Sequence, residues 1–194
     1  FAPRGFLDDA WWNRTYWMYD TGMRWAYFGW RTVSNASPAG RLLAFDGSQF
    51  YGYGLMDRRD YFGDGGSHPG FQLQVQADAT KDYMLVSEVA SHVPADGTWE
   101  EWKRQIEWAA PLPFVAKSIV LTRDALLVAG GASLAETAES HGPGFLRVVA
   151  RKDGSKKATS ALSAPPVLDG MALTGAGIFV STIDGSVTCL ANKE

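Results

Sequence analysis

The feature that most constrains the fold is an internal repeat of low sequence similarity in the C-terminal half of the sequence. LTRDALLVA begins at Leu121, and LTGAGIFVS begins 52 residues later, at Leu173. Both segments consist of two apolar runs around a short turn, which is the pattern of a β-hairpin. A weaker third copy, RLLAFDGSQFYGYG, occupies residues 41–54 and turns at an Asp-Gly step. The period slightly exceeds the roughly 40–50 residues of a typical β-propeller blade, and the loop over residues 131–144 can absorb the excess.

Asp-Gly steps recur at regular distances near the C-terminus. They begin at Asp153, Asp169 and Asp184, which are 16 and 15 residues apart. Asp-Gly favours the left-handed backbone of tight turns, so this rhythm predicts short strands in an antiparallel meander. We therefore interpret residues 145–190 as one blade, that is, one four-stranded sheet with a polar outer strand after the Asp153 turn.

Two segments in the middle of the chain carry further strand patterns. FQLQVQ, residues 71–76, alternates strictly between apolar and polar positions, and we predict that it pairs with YMLVSEV, residues 83–89. WEEWKRQIEW, residues 99–108, fits either a short helix or a strand. Pro111 and Pro113 end that element in either case.

Composition restricts the class of protein. The chain has 194 residues, of which 46% are apolar, so it can bury a core. Its net charge is -3, and no basic stripe is available to neutralise phosphates, so nucleic acid is not expected as a partner. No apolar run approaches the roughly 18 residues of a membrane-spanning helix, so we expect no transmembrane segment. Because the chain begins at Phe1 rather than Met, we expect either a processed product or a chain that lacks part of its upstream sequence.

Several stretches resemble one family of proteins. Residues 145–190 resemble the PQQ-like repeat, with a strand, an Asp-Gly turn, a short strand, a proline pair and an apolar hairpin ending in DGSVTCL. GFLDDAWWNRTYWMYD at residues 5–20 and SPAGRLLAFDGSQFYGYG at residues 37–54 are similar to the C-terminal region of large secreted bacterial proteins with PQQ-like repeats upstream. PLPFVAKSIVLTRDALLVAGG, residues 111–131, fits the same region.

The resemblance implies the scaffold of a quinoprotein-like β-propeller and an extracytoplasmic location, periplasmic or secreted. It does not imply a bound quinone. Repeats of quinoprotein dehydrogenases carry a tryptophan shortly after the turn, whereas SKKATSAL follows Gly154 here. The vicinal cysteine pair of some of these enzymes is impossible because Cys189 is the one cysteine of the chain. We therefore predict no cofactor.

Together, repeat and resemblance predict an all-β fold, a partial β-propeller of about three to four antiparallel blades with long irregular loops. Residues 1–194 are expected to form a single propeller part. Its predicted sections are an aromatic-rich lead-in over residues 1–40, irregular blades with insertions over 41–144, and the PQQ-like blade over 145–190. A partial propeller has open edges that must be covered or paired. We expect upstream blades or a second chain to close the ring.

Residues that carry most enzyme chemistry show no motif spacing. The histidines His68, His92 and His141 are 24 and 49 residues apart, which is not a zinc-ligand pattern. Cys189 is interpreted as a buried, small apolar residue of the last strand. The acidic residues of the Gly-rich loop over residues 55–70 lack the spacing of a calcium loop. We therefore predict no catalytic residue and no metal site.

An aromatic block near the N-terminus is the candidate binding surface. Aromatic faces can stack on sugars, and exposed aromatic clusters mark interfaces, but such rings also pack between blades. The candidate residues are Trp11, Trp12, Tyr16, Trp17, Trp25 and Trp30.

Three functions fit these observations. The leading hypothesis is a non-catalytic scaffold or protein-interaction module in an extracytoplasmic assembly, because no acid, base, nucleophile or metal set converges. The first alternative is a part of a quinoprotein-type oxidoreductase whose cofactor site lies in missing blades. The second alternative is a carbohydrate-binding surface built on the aromatic block.

Overall fold

The computed structural model describes residues 17–18, 39–47, 49–55, 83–89, 105–132 and 142–191. In this part of the chain all regular structure is β-strand, so the predicted all-β class is confirmed. None of the described segments is a helix long and apolar enough to cross a membrane. The strands are β1 (Trp17–Met18), β2 (Ala39–Gly40), β3 (Leu42–Phe45), β4 (Gln49–Leu55), β5 (Tyr83–Val89), β6 (Gln105–Pro111), β7 (Val115–Leu121), β8 (Ala125–Gly131), β9 (Gly144–Ala150), β10 (Lys156–Leu162), β11 (Pro166–Thr174), β12 (Gly177–Thr182) and β13 (Val187–Leu190).

The chain divides into two compact units, Phe1–Pro111 and Leu112–Glu194. In the first unit, β3 to β6 form a four-stranded sheet, called sheet I, and β1 pairs with β2. In the second unit, β7 to β10 form the four-stranded sheet II, and β11 to β13 form the three-stranded sheet III. Within each of these three sheets, every strand pairs antiparallel with the strand before or after it in sequence, so all three sheets are meanders. The described residues show no closed barrel or propeller, and the number of blades stays a prediction.

The internal repeat corresponds to the first two strands of each sheet. β7 and β8 carry LTRDALLVA, β11 and β12 carry LTGAGIFVS, and β3 and β4 carry the weaker copy. Leu121 pairs with Leu126 across the first hairpin, and Leu173 pairs with Ile178 across the second, again 52 residues further on. The three predicted hairpins are therefore confirmed.

The boundaries of the predicted last blade are wrong. Residues 145–190 form strands as expected, but β9 and β10 belong to sheet II, whereas β11 to β13 form sheet III. The cause is the ladder between β8 and β9, in which residues 125–130 pair with residues 150–145. The loop between these two strands therefore lies within one sheet and does not separate two sheets.

The predicted partner of residues 83–89 is also wrong. Residues 83–89 form β5, which lies between β4 and β6 and pairs with both along nearly its whole length. A strand has only two hydrogen-bonding edges, so none is left for FQLQVQ. Residues 71–76 lie outside the described residues.

The ambiguous segment at residues 99–108 is a strand where it is described. Gln105–Pro111 forms β6 at the edge of sheet I, and this strand ends at the first of the two prolines, as predicted. Residues 99–104 lie outside the described part.

Glycines take the left-handed backbone at three of the predicted Asp-Gly turns. Gly47, Gly154 and Gly185 have φ angles of 95°, 71° and 82°. Glycine occupies this region without a Cβ penalty, so each reversal is set by the local sequence. The turns at Asp153 and Asp184 are confirmed.

The Asp169-Gly170 step does not form a turn between strands. It lies inside β11, where the register with β12 shifts between Pro166 and Met171, and Asp169 itself has a φ of 53°. This is a β-bulge, which uses the same left-handed conformation as a turn. An Asp-Gly step therefore marks a left-handed residue, and only the pairing of the flanking strands decides between a turn and a bulge.

The core of the second unit lies between sheets II and III. All its members are apolar side chains of low exposure, and β8, β9 and β10 face β11 and β12 across it. The buried members are Leu127, Ala129, Leu146, Leu162, Met171 and Val180, with Val120, Val148, Ile178 and Leu190 packed against them.

Strand β8 is buried on both faces. Leu127 and Ala129 belong to the core between the sheets, and the alternating residues Leu126 and Val128 are fully buried as well. A strand that is covered on both faces has a continuous apolar sequence rather than an alternating one, as ALLVAGG has.

Candidate functional site

The predicted aromatic surface lies almost entirely outside the described residues. Trp17 is part of β1 and pairs with Gly40. The other five candidates, Trp11, Trp12, Tyr16, Trp25 and Trp30, are not described, so this surface stays a prediction.

The residues that we considered as metal ligands also lie outside the described residues. The three histidines and the acidic residues of the Gly-rich loop lie outside the described ranges. Among the residues that are described, no three His, Cys, Asp or Glu side chains come together in a group that could hold a metal ion.

A polar cluster joins three neighbouring strands of sheet I. The amide Nε2 of Gln49 donates to Ser87 Oγ at 2.8 Å and also to a carboxylate oxygen of Glu107. Ser87 Oγ lies 3.5 Å from the same carboxylate oxygen. Glu107 reaches this cluster because the register of β5 and β6 shifts between Ser87 and Glu88, which leaves Glu107 as the extra residue of a β-bulge.

Two aromatic side chains adjoin the polar cluster. Tyr51 and Trp108 are paired with Ser87 from either side, and their ring centroids are 6.2 Å apart. Burial raises the pKa of the Tyr51 phenol, the charge of Glu107 raises it further, and a hydrogen bond with Ser87 acts in the opposite direction. Ser87 is fully buried and is hydrogen-bonded within the cluster. We therefore interpret the cluster as a set of hydrogen bonds that stabilises the pairing of the three strands, and not as a site with an activated serine nucleophile.

The outer face of sheet III is an apolar surface of the second unit. Ala172, Phe179 and Cys189 form one cross-strand row, and Ser181 and Val187 form the next. We call these five residues the outer face. Because side chains alternate across a strand, they lie opposite the core residues of sheet III.

The exposure of the outer face differs from that of the core face. Val187 is 64% exposed, Ala172 and Cys189 are exposed, and Phe179 is partly buried. The prediction that Cys189 is buried is therefore wrong. Its strand does lie in the sheet, but the side chain points to the face that no described element covers.

One edge of sheet III is open in the sense that no described strand pairs with it. β13 pairs with β12 only and is the last strand of the sheet. Thr182 donates its backbone N–H to the Ser186 carbonyl at 2.9 Å, and hydrogen-bonded pairs alternate along an antiparallel ladder. The backbone N–H and C=O groups of Val187 and Cys189 therefore point away from β12, toward the open edge.

A hydrogen-bonded turn holds β13 in place. Asp184 Oδ1 accepts hydrogen bonds from Thr182 Oγ1 at 2.6 Å, from Ser186 Oγ at 2.8 Å and from the Ser186 backbone N–H at 3.1 Å. The bonds from Thr182 and then Ser186 hold the pKa of the Asp184 carboxyl below its usual range. The open edge is thus presented by a fixed hairpin.

Sequence reasoning missed the outer face, although a signal for it exists. GIFVST and VTCL carry apolar residues at both odd and even positions. A strand with one solvent face alternates, so apolar residues in both phases indicate two covered faces.

Comparison with known proteins finds no matching family model, no similar curated protein and no similar solved structure.

Proposed function

We propose that the chain is part of an extracytoplasmic β-propeller and serves as a non-catalytic scaffold or protein-interaction module. The observation that carries this proposal is the outer face of sheet III with its open edge at β13. Exposed apolar patches bounded by polar residues are typical of surfaces that bind another protein. An open strand edge adds unpaired backbone groups that a partner strand can use.

The arrangement of strands supports the propeller part of the proposal. Sheets I, II and III follow each other in sequence as meanders of four, four and three strands. Propeller blades are four-stranded meanders that repeat along the chain in this way. Strand β8 is buried on both faces, which is also typical of the strands inside a propeller blade.

The proposal can be tested at Cys189, the only cysteine of the chain, which lies exposed on the outer face. A benzophenone maleimide on Cys189 should photocrosslink the chain to one discrete partner in an extracytoplasmic fraction of the source cells. The matched control moves the label to an exposed position on β10 of sheet II, in the double variant C189S and K156C. Equal crosslinking from both positions would contradict a specific interface.

Two further measurements decide against the rival functions. A quinone or haem absorbance band in the purified protein would favour the oxidoreductase and overturn the scaffold proposal. Glycan binding that is lost in Trp12→Ala and Trp17→Ala would favour the carbohydrate-binding surface instead. We expect neither result.

A further inference from the structure

The interface between sheets II and III shows which faces of this repeat pack together. Sheet II contributes the row Val120, Leu127 and Val148, the pair Ala129 and Leu146, and Leu162 of β10. Sheet III packs against these residues with aliphatic side chains on the face opposite to its outer face. Those side chains are Met171, Ile178, Val180 and Leu190.

The register of the strands identifies the equivalent rows in sheet III. A shift of 52 residues takes Val120 to Ala172 and Leu127 to Phe179. In sheet II, Leu127 pairs with Val148 on the third strand, β9. In sheet III, Phe179 pairs with Cys189 on the third strand, β13. The row Ala172, Phe179 and Cys189 is therefore the counterpart of the row Val120, Leu127 and Val148.

The second row follows the same rule. Ala129 pairs with Leu146, and its equivalent Ser181 pairs with Val187. Leu146 is 3% exposed, whereas Val187 is 64% exposed. The five residues of the outer face thus match five of the six residues through which sheet II packs on sheet III. The sixth, Leu162, lies on β10, for which sheet III has no described counterpart.

We propose that the outer face of sheet III is the docking site for a further sheet of this same repeat. The partner is an antiparallel sheet that presents aliphatic side chains at the positions equivalent to Ile178, Val180 and Leu190. The outer face carries no charged residue, so burying it costs no ion desolvation. The inference rests on the proposed function, because a propeller is built by repeating one interface between blades.

The open edge of β13 completes this docking site. Sheets I and II have a fourth strand, β6 and β10, at the position where sheet III has no described strand. Edge strands are normally blunted by lysine, proline or a bulge. The outer strand β10 begins with Lys156-Lys157, and the other edge of sheet III, β11, has Pro166 and a bulge. β13 has none of these features, as expected of an edge that is paired in the assembled protein.

A chain extended by one repeat tests the proposal. Cys189 on β13 corresponds to Val148 on β9, so Ala191 corresponds to Ala150. A second copy of residues 151–191 can therefore be joined directly after Ala191. This added copy carries Cys189→Ser. The added segment should supply a fourth strand to sheet III and a new sheet on the outer face. The original Cys189 should then react with Ellman's reagent about tenfold more slowly than in the 194-residue chain.

The matched control is the same extension with Ile178→Lys and Val180→Lys in the added copy, which removes the aliphatic partner surface. In this variant Cys189 should react as fast as in the parent chain. An unmodified extension that is cleaved by protease and leaves Cys189 reactive would overturn the proposal. So would a parent chain that sediments as a dimer with a protected Cys189, because a second copy would then be the occupant. These results do not depend on the crosslinked partner or on an absorbance band, so the two proposals can fail separately.

Discussion

Sheets II and III are built from the same repeat but differ in burial. In sheet II the row Val120, Leu127 and Val148 is packed in the core of the second unit, whereas in sheet III the row Ala172, Phe179 and Cys189 lies at the surface. Strand register and alternation are the same in both rows. The comparison shows that burial is decided by the neighbouring sheet and not by the strand itself.

The largest expected difference between the two sheets comes from truncating equivalent side chains. Leu127→Ala leaves a cavity in the core and should lower the free energy of unfolding by about 2–5 kcal/mol. Phe179→Ala lies on the outer face and should cost less than about 1.5 kcal/mol in the 194-residue chain. Urea unfolding of both variants measures the difference. Equal losses would show that the outer face is already covered in the isolated chain.

A second comparison uses two glycines, one required by a close packing contact and the other by its backbone conformation. A Cβ at Gly131, at the end of β8, would lie 2.8 Å from Pro165 Cβ, so Gly131→Ala should cost about 1–3 kcal/mol through overpacking. Gly185 has open space around it but a φ of 82°, so Gly185→Ala should cost about 1 kcal/mol through backbone strain. Thermal unfolding compares them, and a larger loss at Gly185 would contradict the close contact at Gly131.

The loss of stability at acid pH should depend in part on one turn in sheet II and one turn in sheet III. Hydrogen bonds from Ser155 lower the pKa of Asp153, and bonds from Thr182 and Ser186 lower the pKa of Asp184, both from an ordinary value of 3.8. A lowered pKa stabilises the fold above the unfolded value, and this contribution is lost as the pH falls below 3.8 through the folded pKa. Asp153→Asn and Asp184→Asn should each flatten the loss of stability in this range.

Asp169 provides the opposite sign for the same experiment. Asp169 is exposed as a residue, but partial burial of its carboxyl raises its pKa, so its small contribution to stability improves as the pH falls through the raised value. Asp169→Asn should therefore stabilise the chain slightly at neutral pH and reduce the benefit of acid. Unfolding curves between pH 3 and pH 7 measure both effects, with Asp153→Asn as the control of opposite sign. A loss of stability at neutral pH would contradict the assigned burial penalty.

The smallest expected effect is at Cys189. Because its side chain is exposed, Cys189→Ser should change the free energy of unfolding by less than about 0.5 kcal/mol. Val148→Ser, at the equivalent position of sheet II, should cost clearly more because Val148 packs against the core. Similar costs for the two changes would remove the contrast between the sheets.

The sequence predicted individual elements well where local chemistry decides them. The hairpins around residues 121–129 and 173–181 and the turns at Asp153 and Asp184 formed as predicted. These features depend on apolar patterning and on the left-handed preference of Asp-Gly, which act within a few residues.

The predictions that failed concern pairing between distant segments. Residues 71–76 were assigned to the edge of β5, which β4 and β6 occupy. Residues 145–190 were grouped as one sheet although β9 pairs with β8. Alternation along a strand shows which face a residue takes, but any strand with a compatible face can serve as a partner.

The candidate surface shows the same division. The sequence indicated an aromatic block whose placement is not described beyond Trp17, and it gave Cys189 a buried position. The outer face became visible only once the rows of sheets II and III could be compared. Apolar residues in both phases of β12 and β13 were present in the sequence, yet their meaning depends on a neighbouring sheet.

The sequence by itself determined the all-β class, the 52-residue repeat and the position of most turns, because these follow from side-chain alternation and from local backbone preferences. Only the tertiary structure decided where one sheet ends and the next begins, and which apolar face stays exposed. The physical reason is that strand edges and sheet faces are satisfied by groups far away in sequence, so their partners follow from packing rather than from local pattern.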